Sequence, residues 1–334
     1  MYELKKLITA YERIHPVKLF LWNLLIGYEK EESTAKFEVH TKDGMRIVAP
    51  TVGRRSKGTL VKKGSHKVDT YQPSMLKPYV VAEGETLLKQ QFGQNIYGNP
   101  ATNANKKIAQ ELKNLQTILI RTMQYNLSLL LTTGVLPQEE GAAGVNFGTF
   151  NSVILSGTSK WNAAGVDIIS QLKEKKAFIQ ETTGISPDTL VVSPDVASVL
   201  LDDPKFVDMQ KRFNSNIVQV DPKELGNGAD YIGYIPLLSL KIYSFQDLVS
   251  LDEKTTISLL PQGTALLLKS KSFGVHYGAF PFREKTVDEL GLFVGKAAIR
   301  KIPSADLNDD ELQLHSAPFI KPMDAQCWYM MKVI

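Results

Sequence analysis

Residues 105–133, NKKIAQELKNLQTILIRTMQYNLSLLLTT, carry the clearest periodic pattern of the chain, with Ile108, Leu112, Leu115, Leu119 and Met123 recurring every three or four positions. That spacing places the five on one face of an α-helix. Asn103 or Asn105 stands where a side-chain oxygen caps a helix start, Gly134 where a helix ends, and Pro137 just beyond. At 1.5 Å per residue the helix runs roughly 43 Å, longer than most helices of a compact domain. Propensity does not hold such a helix by itself, so the face bearing Ile108, Leu112, Leu115 and Leu119 is expected against the chain's own sheet.

Towards the amino terminus, from Lys36 to Val81, the pattern has period two or is broken by turns. FEVHTKDGMRIVAP carries an Asp43-Gly44 turn, and GRRSKGTLVKKGSHKV sets Gly53, Gly58 and Gly64 among six cations. This predicts a long exposed hairpin. It has few apolar residues from which to build a core, so a partner surface is expected. Before it, Lys5 and Lys6 and the apolar run Val17 to Gly27 mimic a secretory signal. Pro16, the acidic stretch Glu29 to Glu32 and the shortness of the run oppose export or membrane insertion. An amphipathic arm burying Leu19, Phe20, Trp22 and Leu25 against protein fits better.

Towards the carboxyl terminus the units alternate. A helix from about Ala164 to Thr183 precedes Gly184, then the strand Thr189 to Val192, then a helix opening at Ser193-Pro194-Asp195 and running towards Phe213. Asp202-Asp203-Pro204 marks a break in it, because proline denies its predecessor the helical conformation. Helix, strand, helix is the pattern of an α/β layer. Short strands follow at Leu240 to Phe245, Thr256 to Leu260 and Ala265 to Lys269, then a strand-rich tail from Val275 to Ile334.

Composition narrows the function classes. Hydrophobic residues make up 43% and charged residues 22% of 334, enough for one large or two smaller cores and against disorder over most of the length. The net charge of +4 falls well short of the concentrated basic stripe of a dedicated nucleic-acid reader. Cys327 is the single cysteine, which excludes an internal disulfide and a cysteine-rich metal cluster and fits folding in a reducing cytoplasm. His15, His40, His66, His276 and His315 include no pair at the i, i+3 or i, i+4 spacing of helical metal ligands. Neither a nucleophile elbow nor a phosphate loop nor a dinucleotide fingerprint occurs; Gly226, Gly228 and Gly233 read as turns. The pairs Asp202-Asp203 and Asp309-Asp310 point in different directions on a helix or strand and read as solvated charge or caps. No catalytic residue, cofactor site or metal site is therefore assigned. The densest charge feature is Arg54, Arg55, Lys57, Lys62, Lys63 and Lys67, with no acid between Gly44 and Asp69. It reads either as a solvated loop face or as a surface pairing with an acidic neighbour.

Several strings, in order, resemble the lambda-type family of phage major capsid proteins: FLWNLLIG, GMRIVAPTV, the glycine-punctuated basic stretch, TYQPSMLKPYVVAEGETLLKQQFGQN, GVNFGTF after the long helix, ISPDTLVVSPDVASVLLDDPKF, and LQLHSAPFIKPMDAQCWYMMKVI at the end. The resemblance implies an α+β tailed-phage capsid fold. Its parts would be an amino-terminal arm and first strand over 1–44, an extended hairpin loop over 45–82, a peripheral domain over 83–150 with a spine helix over 105–133, an α/β axial domain over 151–262, and a return through the peripheral domain over 263–334. It implies a non-enzymatic subunit that assembles as pentamers and hexamers into an icosahedral shell in the host cytoplasm and becomes part of the virion. Packaged double-stranded DNA would be touched without sequence reading, and scaffold, portal and decoration proteins would be partners; no membrane is involved. Arg54, Arg55, Lys57, Lys62, Lys63 and Trp22 are the expected intersubunit contacts. A cargo-enclosing nanocompartment shell of the same fold is the alternative, and a soluble α/β enzyme is a more distant one.

Overall fold

The computed structural model describes residues 20–42, 66–83, 100–138, 143–213, 223–224, 228–251, 255–283, 290–303 and 309–334. One helix dominates it, Pro100–Thr133, about 51 Å long at 1.5 Å per residue. It begins five residues before the expected start. Proline, whose missing N–H costs nothing in a first turn, opens it, and Asn103 and Asn105 lie inside it rather than at its cap. The far end stops where expected. Gly134 takes a left-handed φ of 76°, and its N–H donates to the Leu130 carbonyl at 2.9 Å.

This spine serves two cores. Near its start Ile108, Leu112, Leu115 and Leu119 pack with Ala82, Ile299, Leu312 and Leu314. These partners come from a three-stranded antiparallel sheet ordered Ala298–Pro303, Asp309–His315, Tyr79–Glu83, so the expected face is buried on the chain's own sheet. Further along, Met123, Leu127, Leu130 and Leu131 join a second cluster with Leu21, Leu25, Phe245, Phe273, Phe319 and Trp328.

A seven-stranded mixed sheet lies beyond, in the order Ser152–Ile154, Tyr329–Lys332, Thr264–Leu268, Thr189–Val192, Leu240–Phe245, Ala229–Ile235, Lys223–Glu224. Its central strands are apolar on both faces because both are covered. Val191, Leu266 and Leu268 point to the spine side, whereas Leu190, Val192, Ala265 and Leu267 meet the helices Ile168–Thr183 and Pro194–Asp202 on the other.

Local chemistry sets the boundaries. The helix expected from Ala164 starts at Ile168, where Asp167 caps it by accepting from the Ser170 N–H at 3.1 Å; Gly184 closes it in the left-handed conformation. Ser193 precedes a helix with Pro194 in its first turn, and Asp203, at ψ 118°, separates it from the helix Pro204–Phe213. The strand expected over Thr256 to Leu260 ends at Ser258, since Leu259 and Leu260 turn into the core. Gly228 does occupy a left-handed turn, but Gly233 lies within a strand at a register shift opposite Ile242, and Gly226 is outside the described residues.

Candidate assembly surfaces

The hairpin stem pairs Phe37–Lys42 with His66–Tyr71, from Phe37 opposite Tyr71 to Lys42 opposite His66. Its base is fastened to the core: the Tyr71 ring lies 5.8 Å from Phe147 and 5.3 Å from Phe319. The Asp43-Gly44 turn and the side chains of Arg54, Arg55, Lys57, Lys62, Lys63 and Lys67 are outside the described residues, as are Leu19 and Leu60.

Trp22 lies among the described residues. Phe20–Leu25 is a short helix buried by Leu21 and Leu25, and Phe20 stacks on Phe245 with ring centroids 5.5 Å apart. Trp22 is half-buried against the same cluster, and its indole N–H donates to Glu29 Oε1 at 3.3 Å. The following strand, Ile26–Glu31, runs parallel to Phe273–Tyr277 in a small sheet closed by Pro318–Pro322. Phe20, Leu21, Leu25 and Ile26 thus pack on their own subunit's core, and the strand beyond Ile26, though exposed, pairs with a strand of the same subunit. The apolar run predicted burial, but no local signal named a partner strand over 240 residues away.

Charged groups around this strand act as internal ties. His276 Nδ1 lies 2.7 Å from Glu32 Oε1, the Tyr28 hydroxyl 3.2 Å from His276 Nε2, and Lys296 Nζ 2.5 Å from Glu29 Oε2. Burial pushes the Glu32 carboxyl up, but hydrogen bonds from His276 and Lys30 outweigh it and hold it below the ordinary range. Asp188 shows the same balance: burial raises it, while Lys269 Nζ at 2.6 Å and the Ser270 N–H and hydroxyl bring it below the ordinary range. His315 is the opposite case. It is buried against Phe280 and Phe282, and desolvation, helped by the charges of Lys77 and Arg300, lowers it to about 4. Burial also raises the Cys327 thiol to about 11, which leaves it a poor nucleophile.

Among the described residues no group of three or more His, Cys, Asp or Glu side chains is placed to hold a metal ion. No described helix is long and apolar enough to cross a membrane. A cleft of about 460 Å³ lined by Pro194, Asp230, Ser244, Gln246 and Asp247 is open to solvent. What the surface does offer is apolar area: Tyr79 and Val81 on one sheet edge, Leu248 and Leu251 on the ribbon Leu248–Ser250/Thr256–Ser258, and Leu237 at a strand turn are exposed. Sequence reading missed these, because in a strand a face is assigned only once its partner is known.

A family model described as phage major capsid protein E matches residues 3–331. The chain belongs to that family. Its role is accordingly that of a structural shell subunit. Curated proteins gave no match. Among solved structures the chain is similar to a protein assigned as the capsid protein of a prophage of Escherichia coli CFT073, at 17% identity and TM-score 0.69 over 100% of this chain and 99% of that one. It is also similar to a phage-related protein of Bordetella bronchiseptica RB50, at 9% identity and TM-score 0.53 over 98% and 96%. The capsid protein of cyanophage P-SCSP1u matches at 8% identity and TM-score 0.52 over 95% and 88%. The fold of this phage major capsid protein is the α+β capsid fold, spine helix included.

Proposed function

We propose that this phage major capsid protein tiles itself, as pentamers and hexamers, into a closed icosahedral shell around packaged double-stranded DNA, assembling in the host cytoplasm and persisting in the virion. The family match over residues 3–331 carries the reading. Many modest contacts repeated under closed symmetry supply the cohesion that a shell requires, which suits a molecule with dispersed exposed apolar positions instead of one deep pocket. In this reading residues 1–44, 45–82, 83–150, 151–262 and 263–334 act as arm, loop, peripheral domain, axial domain and return. The cations Arg54, Arg55, Lys57, Lys62 and Lys63 and the outer part of Trp22 meet neighbouring subunits. DNA contact is non-specific, and scaffold, portal and decoration proteins are further partners.

Electron microscopy of the expressed wild-type protein tests the assembly, and nuclease-protected DNA in particles from producing cells tests the cargo. Closed particles of uniform size are expected; a soluble monomer at every concentration and salt would overturn the reading. Arg54→Glu combined with Lys62→Glu is expected to leave a folded subunit that assembles poorly, because exposed pairs are worth only about 0 to 1 kcal/mol each and do not hold the subunit together. Normal particle yield from that double variant would make the cluster a solvated face.

A further inference from the structure

Where the helix Pro194–Asp202 breaks before the helix Pro204–Phe213, a buried carboxylate carries an oxygen without a partner. Asp203 stands in the break and is only 9% exposed. One of its oxygens caps the second helix: Oδ1 accepts from the Lys205 N–H at 2.8 Å. The other, Oδ2, is shut off from bulk solvent and accepts no hydrogen bond from the described residues. The ammonium two positions on does not serve it, because Lys205 Nζ reaches Asp167 Oδ2 at 2.6 Å. Asp202-Asp203 reads in the sequence as solvated charge or a cap, and Asp202 is indeed exposed, but capping occupies only one oxygen of the buried partner. A buried charge without donor or counter-ion burdens the fold, and an orphaned oxygen of this kind marks a place where an ion or water completes the shell.

Asp203 lines a cleft of about 330 Å³ with Asp202 and Val199, from the end of the first helix, and with the loop 161–166 that leads to the helix Ile168–Thr183. Among the described residues no lysine, arginine or histidine lines it. Its polar side chains are the two carboxylates and the Asn162 amide, since the Trp161 indole N–H is already given to Gln171 Oε1 at 2.9 Å. The last carbonyls of a helix find no partner within it and carry the negative end of its dipole, and Val199 and Asp202 belong to that last turn. Across the cleft the loop backbone is open. A Cβ at Gly165, where φ is 80°, would meet nothing within 4 Å.

We infer that this cleft is a site for a hard divalent cation of the size of calcium. Asp203 Oδ2 is its buried anchor, and Asp202, the Asn162 amide oxygen, main-chain carbonyls and water complete the shell. Charge selects the sign of the ligand and the donors select its class. Calcium takes about six to eight oxygens in flexible geometry, whereas softer metals call for imidazole or thiolate, which the cleft lacks among the described residues. Two acids rather than three make the affinity modest, with a Kd on the order of 0.1 to 1 mM. Bound there, the ion ties the loop 161–166 to the break between the two helices and neutralises the carboxylate that the break buries. The inference stands apart from the shell reading, because the site lies within one subunit.

Terbium, a luminescent stand-in for calcium, reads the site through Trp161, which lines the same cleft and is almost wholly buried. Titrated into the unassembled full-length subunit, it is expected to give tryptophan-sensitised emission that calcium displaces at about 0.1 to 1 mM, and magnesium only at concentrations about tenfold higher. Asp203→Asn retains an oxygen for the Lys205 N–H, so the subunit folds with an unchanged circular dichroism spectrum while calcium affinity falls about tenfold or more. Asp202→Asn, at an exposed position, weakens binding about threefold or more without touching the cap. Trp161→Phe extinguishes the emission yet leaves the rise of about 2 °C in melting temperature that calcium at about 10 mM confers. Emission and melting shift undiminished in both aspartate variants would overturn the site, as would a wild-type melting temperature indifferent to calcium. Emission that survives Trp161→Phe would overturn its location, and equal potency of magnesium would overturn the ion's class. Should Asp203→Asn fail to fold, unchanged affinity in Asp202→Asn would overturn the site by itself.

Discussion

Replacing Leu115 by alanine removes three carbons from a side chain that touches the peripheral sheet and is almost wholly buried. At about 0.8 kcal/mol per buried carbon the transfer loss is about 2.4 kcal/mol, and a cavity that does not collapse adds up to about 2 kcal/mol more. The cluster is bounded by a sheet of only three strands, so partial collapse is available and the expected total is about 3 kcal/mol. Ile118, one turn away on the same helix, is 49% exposed, and Ile118→Ala should cost less than about 1 kcal/mol. Equilibrium urea unfolding of unassembled subunits, followed by tryptophan fluorescence, measures both. Equal losses, or a larger loss at Ile118, would show that the spine does not present the face described. If Ile118→Ala leaves the subunit intact yet depresses particle yield, its exposed side chain belongs to a contact between copies.

Three further outcomes follow from particular contacts. His315 titrates near 4 when folded against an ordinary 6.5, so the unfolded chain binds its proton first as the pH falls; stability is constant above about 6.5 and declines towards pH 4 by at most about 3 kcal/mol, and His315→Gln should flatten that window in pH-dependent melts. Gly134→Ala places a Cβ 2.5 Å from the Phe150 ring at a backbone angle that only glycine adopts freely, and should lower stability by about 1 to 3 kcal/mol, with a correspondingly lower melting temperature. Cys327 should resist alkylation at pH 8 in the folded subunit and react rapidly in urea; fast labelling of the native protein would contradict its burial.

Much of the fold is visible in short windows because local chemistry and tertiary environment agree there. The spacing of Ile108 to Leu119 needs one face, and the sheet supplies it; Pro204 breaks a helix wherever it stands. What stays hidden is pairing between distant segments. Ile26–Glu31 finds Phe273–Tyr277 through a register that neither string encodes alone, and Gly233 reads as a turn although it lies within a strand, at a register shift opposite Ile242. Candidate contacts divide in the same way. Charge density at Arg54 to Lys67 is legible without a partner, whereas the exposure of Tyr79 and Val81 exists only relative to the strands beside them. A large aromatic in an apolar run, such as Trp22, signals burial but not by which chain.

The spine belongs to both clusters without a proline or glycine between them: from Ile108 to Leu131 one uninterrupted rod is gripped first by the peripheral sheet and then by the central core. Kinking such a rod sharply means interrupting the backbone hydrogen bonds in its middle, whereas rotating it as a whole breaks none. A push on the peripheral sheet therefore arrives at Leu127 and Leu130 as a lever arm's swing, and the molecule carries load from one end to the other as a beam does, with the deformation confined to the joints where it meets its neighbours.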